Sequence, residues 1–294
     1  MTKRKILVTG GLGFIGSNLV HELHKNEQNE IIVLDKDEGR DKLERKIDSI
    51  TYLYYDIRDY PQWLWHVKKC DFIFHLAAQP RIQPSLKDPL TTLLINTAGT
   101  GIILEAARRL NAKVMYAGSS SCHSGKLESP YALCKYHGEE LCRLYSNLDW
   151  VNTTIFRFYN VYGKWQPEEG DNSIVMGIFE KQMREGLPLT ITGDGEQRRD
   201  FTHVDDIVAG LVLSMDHSTP GETFELGTGT NYSINEVADL WRGKKEYIPA
   251  RKGEYPTTLC ADTKAKDILG WKSSIKLPDY IKNHVKKSRA DGEV

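Results

Sequence analysis

Lys5-Ile6-Leu7-Val8-Thr9, a short, apolar and partly β-branched run, ends directly in Gly10-Gly11-Leu12-Gly13-Phe14-Ile15-Gly16. This junction restricts the fold more than any other stretch, because it reads as strand, glycine turn and helix in immediate succession. Apolar residues at helical spacing follow in Ser17-Asn18-Leu19-Val20-His21-Glu22-Leu23, and a second apolar run, Ile31-Ile32-Val33-Leu34, closes a βαβ unit ending in Asp35. Glycine at 10, 13 and 16 lets the backbone turn tightly and approach a pyrophosphate, whose charge then rests on the helix amino terminus. Asp35 follows at about the 20-residue spacing where an acid accepts both ribose hydroxyls of an adenosine. Its carboxylate would repel a 2′-phosphate, which favours NAD over NADP, and Lys36 beside it weakens that preference slightly. NAD is therefore the expected cofactor.

Length and composition agree. A chain of 294 residues can hold one doubly wound sheet with a sizeable core and a smaller appended lobe. With 40% apolar residues and a formal charge of −1, there is no basic excess to hold nucleic acid by counterion release. No segment has 18 consecutive apolar residues, and Met1-Thr2-Lys3-Arg4-Lys5 leads into a strand rather than a signal-peptide core. A cytoplasmic protein with neither nucleic-acid nor membrane partner is expected. Five cysteines, at 70, 122, 134, 142 and 260, form no C-x-x-C pair and fit reduced thiols. No metal site is expected.

Further along, strand and helix patterns alternate. Thr51-Tyr52-Leu53-Tyr54-Tyr55 reads as a strand ending in Asp56, whose carboxylate could reach an adenine amino group or serve as an ordinary turn acid. Phe72-Ile73-Phe74-His75-Leu76 is a buried strand running into Ala77-Ala78, small enough for a cofactor to lie against the backbone. Pro80, Pro84 and Pro89 punctuate a loop before a helix from about 90 to 110 that carries Asn96, and a mid-helix Asn is ordinarily solvated or capping. Val114-Met115-Tyr116-Ala117 ends in Gly118-Ser119-Ser120-Ser121-Cys122. Hydroxyls at the carboxyl end of such a strand lie beside the ligand crevice, although a serine run also makes a polar turn. Tyr131 and Lys135, four apart on a helix, point the same way. A free Tyr titrates near pH ~10, so an ammonium beside it is needed to favour the ionised form. An exposed Tyr with a solvated Lys one turn on has the same spacing. Glu225-Leu226-Gly227 reads as a strand, and Ser233-Ile234-Asn235-Glu236 as a helix start with capping-box spacing.

Taken in order, these motifs resemble an extended short-chain dehydrogenase/reductase of the NAD-dependent nucleotide-sugar epimerase/dehydratase type, similar to the UDP-glucose/UDP-galactose 4-epimerases. The resemblance spans nearly the whole chain. It rests on Thr9 to Gly16, Asp35, Asp56-Ile57, His75-Leu76-Ala77-Ala78-Gln79, Asn96, Ser119-Ser120 and Ser129-Pro130-Tyr131 with Lys135. It continues in Arg157-Phe158-Tyr159-Asn160-Val161-Tyr162-Gly163, Gly193 to Phe201, His203-Val204-Asp205-Asp206 and Arg251-Lys252-Gly253-Glu254.

The resemblance implies a Rossmann-type doubly wound parallel α/β sheet with a smaller C-terminal substrate-binding lobe. The NAD-binding domain would be 1–163 plus 200–228 and the nucleotide-sugar lobe 164–199 plus 229–294, with the active site between them. It implies cofactor contacts from Gly10, Gly13, Phe14, Ile15, Gly16, Asp35, Asp56, Ile57, Leu76, Ala77, Ala78, Asn96, Ser119, Tyr131 and Lys135. Tyr131 would take a proton from a sugar hydroxyl, Lys135 would hold the cofactor ribose and keep the tyrosine acidic, and Ser120, five residues before Gly125, would be the helper hydroxyl. Gln79, Ser120, Asn160, Arg199 and Arg251 would bind substrate, the two Arg gripping the phosphates because a guanidinium fork matches phosphate oxygens. A UDP-sugar is the favoured substrate and a homodimer the expected assembly, through the helices of Asn96 and Tyr131.

Departures from the family pattern narrow the reaction. Only eleven positions separate Ser120 from Tyr131, a short loop that implies an open sugar pocket. Family dehydratases place an Asp-Glu pair after the helper hydroxyl and decarboxylases a Glu; here Ser121-Cys122 stands instead. Cys122 matches a catalytic Cys of the 3,5-epimerase/reductase branch, but Asp171-Asn172-Ser173-Ile174 offers no partner His or Lys. Hydride removal and return at one carbon remains, which is 4-epimerisation. Leu259, on the expected pocket wall, leaves hexoses and N-acetyl sugars both open. The alternatives are a reductase, dehydratase or 3,5-epimerase on the same fold, or a non-catalytic NAD-sensing protein.

Overall fold

The computed structural model describes residues 3–40, 42–123, 125–251, 253 and 255–290, with side chains to residue 285. Lys252 and Glu254 of the last motif lie outside the described residues. Strands β1 (Arg4–Thr9), β2 (Asn29–Asp35), β3 (Thr51–Tyr54), β4 (Phe72–His75), β5 (Lys113–Ser119) and β6 (Thr153–Phe158) alternate with helices. Those helices are α1 (Phe14–His24), α2 (Ile82–Lys87), α3 (Pro89–Leu93), α4 (Gly99–Leu110) and α5 (Pro130–Asn147). Beyond β6 come α6 (Val175–Arg184), β7 (Leu189–Thr192), β8 (Arg198–Asp200), α7 (Val204–Leu213) and β9 (Glu222–Leu226). The chain closes with β10 (Asn231–Ser233), α8 (Ile234–Trp241), β11 (Lys245–Ile248), α9 (Lys264–Leu269) and α10 (Leu277–Ala290).

Seven strands form one sheet in the order β3-β2-β1-β4-β5-β6-β9. β1 pairs in parallel with β2 on one side, Ile6 opposite Ile31, and with β4 on the other, Ile6 opposite Phe72. The order reverses between β1 and β4, so the carboxyl ends of these two strands mark the topological switch point where ligands bind in doubly wound sheets. This is the α/β architecture expected from the sequence. Its central strands carry helices on both faces, which is why Leu7, Ile73, Val114 and Ile155 are fully buried and apolar. Each such side chain contributes about 1.5–3 kcal/mol relative to its exposed state.

The helix expected over 90–110 runs from Pro89 to Leu110 but is interrupted by a π-helical turn, Leu94–Ala98. This run is long and apolar enough to cross a membrane by length and composition. Half of it is buried within the protein, where Ile95, Ile103, Leu104, Ala106 and Ala107 join the core under the sheet.

The chain divides into two compact units, Met1–Arg157 with Val208–Phe224 and Phe158–Ile207 with Glu225–Val294. Residues 158–163, 200–207 and 225–228, assigned on sequence to the nucleotide-binding domain, pack with the second unit. The cause is local pairing: β8 is antiparallel to β10, Arg199 opposite Tyr232, and Asp200 bonds the 228–229 turn. β7 and β11 form a separate parallel pair. The capping box at α8 is complete, with Glu236 N–H donating to Ser233 Oγ at 3.0 Å and Ser233 N–H to Glu236 Oε2 at 2.7 Å.

Candidate active site

The glycine turn is shaped partly by packing and partly by something else. A Cβ on Gly10, at φ +70°, would stand 2.8 Å from the Ala77 nitrogen, and one on Gly16 would stand 2.1 Å from the Gly10 carbonyl oxygen. Both glycines are therefore demanded by the protein's own contacts. Gly13 differs. It caps α1 at φ −74°, and a Cβ there would meet only the Gly10 carbonyl oxygen, at 3.1 Å. α1 has no acidic residue in its first turn and no side-chain cap, so its positive end is not neutralised from within. Phe14 and Ile15 open this helix and are half-buried.

Asp35 is tied to the same turn. Its carboxylate accepts from Leu12 N–H at 2.9 Å and Asp37 N–H at 3.1 Å. Burial raises its pKa, and those two donors oppose the rise. Leu76 N–H donates to the Thr9 carbonyl and Ala77 N–H to Thr9 Oγ1, both at 3.2 Å, which brings the Leu76-Ala77-Ala78 backbone against the glycines. An open helix terminus, a glycine-rich turn and an acceptor carboxylate in register together fit a dinucleotide. Asp56 is held differently from the adenine contact implied by resemblance: Arg58 engages both its oxygens at 2.8 Å, and this pair lowers its pKa. Ile57 is buried next to Gly99.

Helix α5 presents the Tyr-Lys pair. Ser129 Oγ accepts from Ala132 N–H at 3.2 Å and Pro130 fills the first helical position, so the helix starts one residue before Tyr131. Tyr131 N–H donates to Ser85 Oγ at 3.2 Å, which fastens α2 to this first turn. Lys135 Nζ donates to the Ala117 carbonyl at 2.7 Å and lies 5.2 Å from the Tyr116 ring centroid. Burial pulls its pKa down to about 8, with Glu139 opposing.

Two features depart from the sequence expectation. Burial raises the Tyr131 pKa, and the influences against it are a hydrogen bond with the Ser119 side chain and the charge of Arg81. Lys135 gives one of its three donors to the strand carbonyl, and it is not among the influences on the Tyr131 phenol. The hydroxyl at the phenol is also that of Ser119, the last residue of β5, which in turn accepts from Ser121 Oγ at 2.9 Å. Ser120 begins the following 3-10 turn, is buried, and lends its carbonyl to His123 N–H at 3.1 Å. Cys122 is likewise buried, with Sγ 3.1 Å from the Ser119 carbonyl. All five cysteines are free thiols.

Three residues around this pair were not singled out as machinery on sequence. His75 bridges Thr9 Oγ1 at 2.8 Å and Thr100 Oγ1 at 3.2 Å, and burial, helped by Lys135, holds its pKa down to about 3. Glu139 is fully buried and paired with Arg157 and Arg143. Its signal was an acid recurring four residues after Lys135 on the inward face of α5. Arg81, at φ +78°, is the third. Asn96, 2% exposed, grips the main chain of Gln79: Oδ1 accepts from its N–H at 2.8 Å and Nδ2 donates to its carbonyl at 2.9 Å. The π turn carries this Asn, and such turns are frequent at functional sites.

The second unit holds the residues expected at the diphosphate. Asn160, at φ +23°, donates Nδ2 to the Asp200 carbonyl and to Thr258 Oγ1, each at 3.1 Å. Arg199, half-buried, donates Nη1 to the Arg198 carbonyl at 2.9 Å. Asp200 organises this group. Its carboxylate takes donors from Thr228 N–H and Oγ1, Gly229 N–H and Cys260 N–H between 2.7 and 3.1 Å. Arg251 and Leu259 are exposed.

Comparison with known proteins gives the family of the chain. The NAD dependent epimerase/dehydratase family matches residues 6–227. A putative UDP-glucose 4-epimerase of Methanocaldococcus jannaschii is 32% identical over 95% of this chain and 97% of its own. The crystal structure of a UDP-glucose 4-epimerase of Thermotoga maritima, with UDP-glucose, superposes with a TM-score of 0.89 at 29% identity, covering 98% of this chain and 99% of that one. A UDP-glucuronic acid 4-epimerase of Bacillus cereus, in complex with UDP-glucuronic acid and NAD, gives 0.84 at 28% identity over 96% of this chain and 99% of that one. A match over three-quarters of the chain's length, with relatives aligned nearly end to end, establishes that this chain belongs to the NAD dependent epimerase/dehydratase family.

Proposed function

We propose that this chain is an NAD-dependent 4-epimerase of a nucleotide sugar, with a UDP-hexose as substrate. The observation that carries this reading is Tyr131 and Lys135, one helical turn apart beside the carboxyl end of β5, in a chain similar over its length to UDP-sugar 4-epimerases. NAD, when bound, supplies the chemistry of accepting a hydride from C4 and returning it.

The chain's own residues then have defined work. Gly10, Gly13, Phe14, Ile15, Gly16 and Asp35 hold the cofactor, with Asp56, Ile57, Leu76, Ala77, Ala78 and Asn96 shaping its bed. Tyr131 takes the proton of the C4 hydroxyl, and the Ser119 and Ser120 hydroxyls orient the reacting oxygen. Lys135 holds the cofactor ribose. Gln79 faces the sugar, while Asn160, Arg199 and Arg251 of the second unit hold the diphosphate as the 4-keto sugar turns over. The first unit serves as the NAD-binding domain and the second as the nucleotide-sugar lobe. Ser121-Cys122 stands where a dehydratase needs an acid and a base, which favours epimerisation over elimination.

The working form proposed is a cytoplasmic homodimer. Exposed Leu90, Leu93 and Leu94 on the Asn96 helix and Leu144 on α5 offer an apolar face to a second copy. Proton NMR of UDP-galactose and of UDP-N-acetylgalactosamine, each incubated with enzyme and a trace of NAD, tests the activity. Appearance of the gluco epimer without net NADH supports it. No conversion of either substrate by NAD-loaded protein would rule out the UDP-hexose assignment.

A further inference from the structure

Asp56 lies two residues past the end of β3, whose Tyr54 pairs with Asp35 of β2, so the two acids stand at neighbouring carboxyl ends of the sheet. The loop that carries it is fixed by its own main chain and by packing. Asp56 N–H donates to Asp59 Oδ2 at 2.9 Å, and Asp59 N–H donates back to the Asp56 carbonyl at 2.9 Å. The next carbonyl, that of Ile57, accepts from Nε1 of the fully buried Trp63 at 3.0 Å. Ile57 itself sits so close to α4 that a Cβ on Gly99 would stand 2.5 Å from its Cδ1. With the backbone held, the orientation of the Asp56 carboxylate depends on Arg58.

The ion pair does not use up that carboxylate. Oδ1 accepts from Arg58 N–H at 2.9 Å and from Nε at 2.8 Å, while Oδ2 accepts from Nη2 alone, at 2.8 Å. An ionised carboxylate has about four lone-pair sites, two on each oxygen. Oδ1 is therefore filled, and Oδ2 keeps one acceptor site. The Asp56 side chain is 18% exposed, so it is not sealed from a ligand. A half-exposed ion pair adds little to folding stability, and the two-pronged fork fixes direction as well as charge.

We propose that Arg58 is a positioning residue for recognition of the cofactor's base: it locks Asp56 so that Oδ2 presents a single acceptor to the exocyclic amino group of adenine. This rests on the reading of Asp56 as part of the cofactor's bed. Arg58 acts only through Asp56. Its guanidinium also keeps the carboxyl ionised, with the charge of Lys36 adding to the effect. A purine bearing an acceptor in place of the amino group would face the same oxygen with no proton to give, and the locked carboxylate could not turn aside.

The test is calorimetric titration of the full chain with NAD and with nicotinamide hypoxanthine dinucleotide, which carries a 6-oxo acceptor where NAD carries the amino donor. Wild type should favour NAD by about tenfold. Arg58→Ala and Arg58→Lys should both lose most of that preference, the lysine because a point charge cannot hold both oxygens, with Tm within a few degrees of wild type. Asp56→Ala sets the level of complete loss. A wild-type preference retained in Arg58→Ala but lost in Asp56→Ala would overturn the role of Arg58. An equal fall in affinity for both dinucleotides in the Arg58 variants would overturn it too, since damage to the loop weakens binding without changing the ratio. A preference absent from wild type, or unchanged in Asp56→Ala, would overturn the proposal at its premise. Binding is read without any sugar, so each outcome stands apart from a failure to find epimerase activity.

Discussion

Glu139 receives two donors from Arg157, Nε at 3.0 Å and Nη2 at 2.7 Å, one helical turn beyond Lys135. Arg143 adds a third, Nη2 at 3.1 Å. This fully buried carboxylate therefore locks α5, and with it the Tyr-Lys pair, to the end of β6. Removing one member of a buried pair leaves the other charges uncompensated, so Glu139→Gln should cost about 3–5 kcal/mol in chemical denaturation. Lys135 would also lose the anion that supports its charge, and its pKa would fall further. A cost under about 1 kcal/mol would show that the arginines rehydrate and that the lock is dispensable.

Lys135→Met should separate stability from activity. Burial depresses the lysine from 10.5 to about 8, so its folded form binds a proton less readily than its unfolded form. The stabilising contribution is present above pH 10.5 and is lost as pH falls through about 8. At pH 7 the full penalty applies, about 3 kcal/mol. The variant should be more stable than wild type near neutrality, by a margin that shrinks as pH rises from 8 to 10.5, while turnover collapses. Denaturation at three pH values across that window checks the sign.

His75 should dominate part of the acid limb. Its folded pKa near 3 lies below the ordinary 6.5, so stability present above 6.5 is lost as pH falls toward 3. His75→Gln should lose less stability than wild type over the same range, the difference approaching about 5 kcal/mol at its limit. Parallel stability curves for the two proteins would contradict the assignment.

Gly13→Ala and Gly16→Ala should fail for different reasons. A methyl on Gly16 meets the Gly10 carbonyl at 2.1 Å, so that variant should be destabilised without any ligand. A methyl on Gly13 faces a single protein atom at 3.1 Å, so the apo protein should keep its Tm within a few degrees while NAD affinity falls at least tenfold. Calorimetric titration with NAD and thermal melts of both variants distinguish the two effects.

Short-range physics decided what could be read from sequence alone. The β-branched strand, the three glycines, Asp35 and the Ser233–Glu236 capping box each act within one or two elements, where steric and hydrogen-bonding rules depend on neighbouring residues. The alternation of strand and helix patterns pointed to the doubly wound sheet, and helical spacing put Tyr131 and Lys135 on one face, their roles being what the family resemblance implies. Tertiary structure decided how those groups are used. That the Ser119 side chain meets the phenol, that Lys135 bonds the Ala117 carbonyl, and that Asn96 sits in a π turn gripping Gln79 all depend on contacts between distant segments. Periodicity marks which face of an element is buried. It does not specify which polar atom on a neighbouring element meets that face, since this depends on strand register, helix rotation and the cost of leaving a buried donor or charge without a partner.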